Sequence, residues 1–358
     1  MFKLIRSLII KNSSIVVMLS LFTFAAHAAV ILQYHHVSET TPASTSISPQ
    51  QFEKHMQFLA DEGFQVVALS TVVDAIKNKL PLNEKTVAIT FDDAYLTILT
   101  NATPILDKFN YPFTIVINPA SIKDNSSSFL SWQQIKTLAD DNVIIANHNF
   151  EHDSLARIPT GLSESQWLQK QGDAILKAEQ IIKEKTGQNW RYFAYPYGEY
   201  TKVNQAWLAE NNFIAFGQQS GAVGVETDLT SIPRFPASQP YDKLTSLKDK
   251  LHSLPFNIQA IGQADNALFK QGELSAATFV VESDDIHNNQ LNCFVSGLSQ
   301  QEITWQDNKT FTLTFAKSLP IGRGRVNCTA PSIKQPGRYY WFSKAWMIIG
   351  KNGKWYPL

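Results

Sequence analysis

The chain has only two cysteines in 358 residues. That excludes a disulfide-dense scaffold and a cysteine-built zinc site. No histidine-rich motif surrounds Cys293 or Cys328, so a thiol nucleophile has no support. In an oxidising compartment such a pair reads as one disulfide. An excess of one charge is also missing, since 31 Lys+Arg balance 31 Asp+Glu. Without a basic surplus the sequence offers nothing for nucleic acid or an anionic membrane surface, and it suits an uncharged partner. No apolar run reaches the roughly 20 residues of a membrane span. The longest, Ile15–Ala26, follows Lys3, Arg6 and Lys11 and precedes Ala26-His27-Ala28. This pattern reads as a signal peptide over residues 1–28, cut after Ala28, with no stable membrane span afterwards. No glycine-rich phosphate loop follows any strand candidate, which removes support for nucleotide binding. Internal repeats and low-complexity tracts are absent as well.

What the chain does contain, from Val30 to about Pro255, is an alternation of short apolar runs with helical patterns. The strand candidates are Val30–Val37, Gln65–Leu69, Thr86–Phe91, Phe113–Asn118, Val143–Ala146, Arg191–Tyr195 and Phe213–Phe216. Several are continuously apolar, as strands buried on both faces are. Among the helices, Gln50–Asp61 carries Phe52, Met56 and Leu59 at helical spacing and stops near Gly63. Ser163-Glu164-Ser165-Gln166 reads as a capping box opening a helix that runs to Gly187. Strands alternating with helices predict a parallel sheet, and a distorted α/β barrel is the simplest closure. An open doubly wound sheet is the other solution. Residues 258–274 read as a linker, and 275–358 as a small antiparallel β domain, sandwich-like, with Asn352-Gly353 as a hairpin turn between Trp346–Ile349 and Trp355-Tyr356.

Thr90-Phe91-Asp92-Asp93 places two carboxylates at the C-terminal end of a buried strand, where α/β barrels form active sites. One carboxylate can bind a cation while the other stays free as a base, kept ionised by the cation's charge. His148 and His152 follow another strand at a spacing of four, which on a helical turn puts both rings on one face. Two imidazoles and one carboxylate suit zinc, or another divalent transition metal, and leave a position for water or substrate. Ala194-Tyr195-Pro196-Tyr197-Gly198 ends a strand in a turn that can offer a backbone N–H to a developing oxyanion. His252, closing the last helix of this region, is a candidate general acid. Tyr95, Trp132, Tyr195 and Phe235 are candidate sugar-stacking aromatics, with core packing the competing role for each.

Together these motifs resemble the polysaccharide deacetylase family, also called the chitooligosaccharide deacetylase homology domain. Tyr34-His35-His36-Val37 is similar to the first strand of the branch that includes poly-N-acetylglucosamine deacetylases. The resemblance covers about residues 30–257 and implies a distorted barrel of seven β/α units. It implies Asp92 as base, Asp93, His148 and His152 as metal ligands, the N–H of Tyr197 as an oxyanion donor and His252 as general acid. The family's third motif carries an arginine two residues before its proline, where this chain has Ala194. Arg191 or Arg234 can replace it, and the proline-flanked Arg234 is favoured. Asn149 also stands where the family has Ser or Thr. The implied reaction is metal-assisted removal of N-acetyl groups from a glycan by an exported, periplasmic or extracellular enzyme. Alternatives are a non-catalytic carbohydrate-binding protein on the same barrel and an O-acetyl carbohydrate esterase. The polymer and the oligomeric state are left open.

Overall fold

The computed structural model describes residues 28–123, 126–299 and 301–358. The expected signal peptide lies outside the described residues except for Ala28. Among the described residues no helix is long and apolar enough to cross a membrane.

Seven parallel strands form the barrel: β1 (Ala29–Tyr34), β2 (Thr86–Asp92), β3 (Thr114–Ile117), β4 (Ile144–Asn147), β5 (Tyr192–Ala194), β6 (Ile214–Phe216) and β7 (Phe235–Pro236). They pair in the order β7-β1-β2-β3-β4-β5-β6. Between the two ends no strand ladder forms among the described residues; a parallel bridge from Phe216 to Ile232 and the bond from Arg234 N–H to the Gln219 carbonyl cross the gap, which is the distortion of the barrel. The expected strand at Gln65–Leu69 is a two-residue stub, Gln65–Val66, against the start of β2. The seventh barrel strand is instead β7, too short and too rich in proline to register as a strand in the sequence.

Side chains alternate across each strand. Ala29, Ile31, Ala88, Ile144, Ala146 and Ala194 fall in one cluster with the helix Leu69–Lys77. Val30, Leu32, Ile89, Phe91, Ile115 and Ile145 fall in another, against helices that include Pro49–Asp61. By the same alternation Gln33, Thr90, Asp92 and His148 belong to the first face, at the ends of β1, β2 and β4. The small residues leave that side narrow, and its upper end is polar. The long helix Glu164–Thr186 has both arms of its capping box, Ser163 and Gln166, and ends on Gly187 at φ 80°.

The C-terminal part is a two-sheet sandwich. One sheet orders Ser253–Pro255, Tyr339–Ile349, Gly322–Pro331 and Asn292–Val295, with Leu268–Lys270 also on Tyr339–Ile349. The other orders Ile258–Ile261, Ala276–Val281, Thr310–Phe315 and Gln301–Trp305. Residues 258–274 are therefore not a linker, because they supply a strand to each sheet. Segments of three or four residues are too short to show an alternation. Cys293 and Cys328 sit opposite each other on paired strands and form the disulfide. The Asn352-Gly353 turn forms, but no strand follows it. Trp355 and Tyr356 instead both pack against the Arg157 guanidinium, with ring centroids 4.9 and 4.4 Å away.

Candidate active site

The ends of β2, β4 and β5 bring the predicted residues together. Asp92 closes β2 and is fully buried. Arg234 meets it with both terminal nitrogens, Nη1 to Oδ1 at 2.7 Å and Nη2 to Oδ2 at 2.8 Å. Gln33 of β1 donates a further bond to Oδ2 at 2.7 Å. Burial pushes the Asp92 carboxyl up, but the Arg234 charge and hydrogen bonds outweigh it and hold the carboxyl well below the usual carboxylate range. Arg234 is itself fully buried and donates from Nε to the carbonyl of Gly217. Arg191 faces elsewhere, donating to the carbonyl of Asn211 and lying over Phe213.

Asp93 leaves the strand at φ 75°, which turns its side chain away from that of its neighbour. Its Oδ1 lies 3.3 Å from His152 Nε2 and 3.6 Å from His148 Nε2, and the two ring nitrogens are 3.2 Å apart. The histidines do not share a helical turn as their spacing suggested. Residues 148–152 form an irregular loop, with Asn149 at φ 64° and His152 at φ 63°. Asn149 braces that loop: its Oδ1 accepts from the N–H of Phe150 and its Nδ2 donates to Gln171. His148 Nδ1 faces the carbonyl of Ala194 at 2.8 Å, and a carbonyl can only accept. The proton is therefore on Nδ1, and the Nε2 lone pair points at Asp93 and His152. His152 is held down to about 4, first by burial and then by His148.

This triangle fits a metal. A tetrahedral zinc with bonds of about 2.0–2.1 Å has ligand–ligand edges of about 3.3 Å. The observed edges of 3.2, 3.3 and 3.6 Å are close to that value. A cation at the centre of the triangle would meet one donor atom from each of the three residues.

Over the triangle lies a cavity of about 600 Å³. Its wall includes Asp93, His152, Tyr95, Tyr197 and His35. Tyr197, at φ 60°, sets its ring edge-on to His152 at 4.5 Å. Of the candidate stacking aromatics only Tyr95 reaches the cavity. It stacks on His36 at 3.5 Å and on Phe129 at 5.1 Å. Tyr195 and Phe235 are fully buried, and Trp132 packs against the core.

His252 is not at this site. It caps the C-terminal end of the helix Leu244–Leu251 and packs edge-on against Phe64. Phe64 precedes Gln65, which is in register with Thr86 at the start of β2. Asp92 ends that strand, roughly 20 Å away at about 3.3 Å per residue. The imidazole that does face the site is His35, whose Nε2 is 4.0 Å from Asp92 Oδ2. It was visible in the sequence only as part of a strand motif. Two other residues went unread. Glu199 accepts from Arg157 on both oxygens at 2.7 Å, from Ser154 at 2.6 Å and from Tyr356 at 2.8 Å. This buried knot ties the Tyr197 turn to the loop beyond His152 and to the C-terminal segment.

Residues 79–213 match the family model for polysaccharide deacetylase. The poly-β-1,6-N-acetyl-D-glucosamine N-deacetylase of Escherichia coli (strain K12) is 23% identical over 57% of this chain and 36% of its own length. The chain thus spans about a third of that relative. The Staphylococcus epidermidis protein of the same name is 25% identical over 60% of this chain and 81% of its own. The solved structure of IcaB from Ammonifex degensii superposes with a TM-score of 0.53 at 25% identity, covering 62% of this chain and 96% of that one. Gln33, His35 and Arg234 lie outside the matched segment and complete its site from β1 and from the loop before β7. The barrel of this chain is thus similar to polysaccharide deacetylase domains, with the family match over residues 79–213.

Proposed function

We propose that this protein is a zinc-dependent hydrolase that removes N-acetyl groups from an N-acetylglucosamine-containing glycan, releasing acetate. The observation that carries the reading is the Asp93–His148–His152 triangle lying beside a separate, ionised Asp92. A binding protein has no use for a spare carboxylate clamped next to a metal site. A divalent cation held by the triangle would polarise the acetyl carbonyl and make water a stronger acid. Asp92 takes the proton of the attacking water as its oxygen bonds to the carbonyl carbon. The N–H of Tyr197 donates to the oxygen that gains charge. The carbon–nitrogen bond then breaks, and the amine nitrogen takes a proton from His35. Arg234 and Gln33 hold the Asp92 carboxylate in place through the cycle. The donor set favours zinc and also accepts another divalent transition metal. The Cys293–Cys328 disulfide supports a location in an oxidising, exported compartment.

The assignment of the acid is tested by two variants. His35→Gln is expected to lower kcat by about 10²–10⁴-fold, the usual range for a general acid. His252→Gln is expected to stay within about two-fold, because its ring is at the other end of the barrel. Acetate release from N-acetylglucosamine oligomers measures both. The opposite ranking would return the role to His252.

A further inference from the structure

The sandwich is not remote from the site. Its strand Gly322–Pro331 sends Arg323 and Arg325 into the wall of the same 600 Å³ cavity that holds Asp93 and His152. The two arginines are two positions apart on one strand, so both face the same way. Arg323 is partly engaged: its Nη1 lies 3.4 Å from the Tyr197 carbonyl and its Nε 4.0 Å from Glu199. Arg325 is different. Its backbone pairs with Ser296, but its guanidinium has no ion pair or hydrogen bond among the described residues. A half-buried, unpaired guanidinium on a cavity wall leaves several donors for something that enters.

The surroundings have the same polarity. Ser238, 5% exposed, lines the cavity with a buried hydroxyl that has no partner among the described residues. Lys250 places Nζ on the carbonyl of Pro236, another wall residue, at 2.6 Å. Burial, and then the charge of Arg325, hold that amine down to about 8, with Asp242 opposing. Asp93, Glu151 and the last residue, Leu358, bring the wall's carboxylates. The zero net charge of the chain therefore hides a local gathering of cations, Arg323 and Arg325 on the wall with Lys250 behind it.

We propose that the cavity takes an acidic N-acetylated glycan, with the carboxylate of a sugar next to the reacting N-acetyl group held by Arg325 and Arg323. This deepens the deacetylase reading and rests on the same cavity. It also gives the sandwich a function, since the specificity contact comes from outside the family's domain. An arginine fork matches a carboxylate in two parallel bonds, which a neutral sugar cannot supply.

Calorimetry on the full chain tests it with two tetramers, one of N-acetylglucosamine alone and one alternating glucuronic acid with N-acetylglucosamine. The acidic tetramer should bind at least about 10-fold more tightly at low salt, with the preference shrinking as salt screens it. Arg325→Gln should remove most of that preference and leave the neutral tetramer within about two-fold. Arg325→Lys should restore only part, because a point charge lacks the fork. Equal binding of the two tetramers, binding of neither, or equal weakening of both by Arg325→Gln would overturn the proposal. Binding is read without acetate release, so the two readings fail separately. Acidic preference with no deacetylation would remove the hydrolase reading alone, and deacetylation with no preference would remove this one.

Discussion

Asp92→Asn is expected to reduce acetate release by about 10²–10⁴-fold, the range for loss of a general base, and to leave metal binding intact. The substitution keeps the shape of the side chain. Its amide oxygen can still accept from Arg234, whose Nη1 and Nη2 now contact both carboxylate oxygens. The proposed metal site is Asp93, His148 and His152, without Asp92, so its three donor atoms are untouched. Activity and metal content should therefore separate in this variant, as measured by an acetate assay and by metal analysis of the same preparation. His148→Ala should behave in the opposite way and lose both together. If Asp92→Asn lost the metal, the two carboxylates would have exchanged roles.

Arg234→Met is expected to cost about 3–5 kcal/mol of stability at neutral pH, because it strands a buried carboxylate without its cation. Thr90 adds to this, since its hydroxyl also receives Arg234 at 3.2 Å. The pH dependence has a definite sign. In the wild type the folded Asp92 carboxyl is held below its unfolded value of about 3.9. Its contribution is thus present above that value and is lost as pH falls through the folded one. In Arg234→Met burial acts without the opposing cation, so the folded carboxyl moves above the unfolded value. Protonation then relieves the variant. The stability gap between wild type and variant should narrow as pH falls from 7 toward 4, measured by denaturant unfolding. A gap independent of pH would mean that the ion pair is not what Arg234 contributes.

The parts of the site that were legible in the sequence are those carried by strand ends. Asp92-Asp93 and His148 follow apolar runs that could only be buried strands, and parallel strands bring their ends to one side. The alternation of strands with helices likewise made the barrel readable. What could not be read depends on contacts between segments distant along the chain. Arg234 stands out only by its flanking prolines, and its partner is 142 positions away. His35 and His36 are adjacent in sequence, yet one faces Asp92 and the other stacks under Tyr95. His252 had the residue type of a general acid and an uninformative position, and the end of the barrel on which its helix stops decides the matter. The spacing of His148 and His152 pointed to two rings that do meet, for a different reason from the one it suggested. Left-handed residues in a loop, not a helical turn, bring the rings together. The short strands at Ile258–Ile261 and Leu268–Lys270 are defined by the strands they pair with. The role of the sandwich at the cavity was invisible because Arg323 and Arg325 look like ordinary exposed strand residues.

The central claim is that this cavity hydrolyses an N-acetyl amide with a metal held by Asp93, His148 and His152. The measurement that tests it most directly is acetate release by the purified protein after chelation and again after zinc is restored. N-acetylglucosamine oligomers, peptidoglycan and an O-acetylated ester would be assayed side by side. The account predicts release from an N-acetyl substrate that disappears on chelation and returns with zinc. Zinc bound at the triangle with no acetate from any N-acetyl substrate, or release unaffected by chelation, would contradict it.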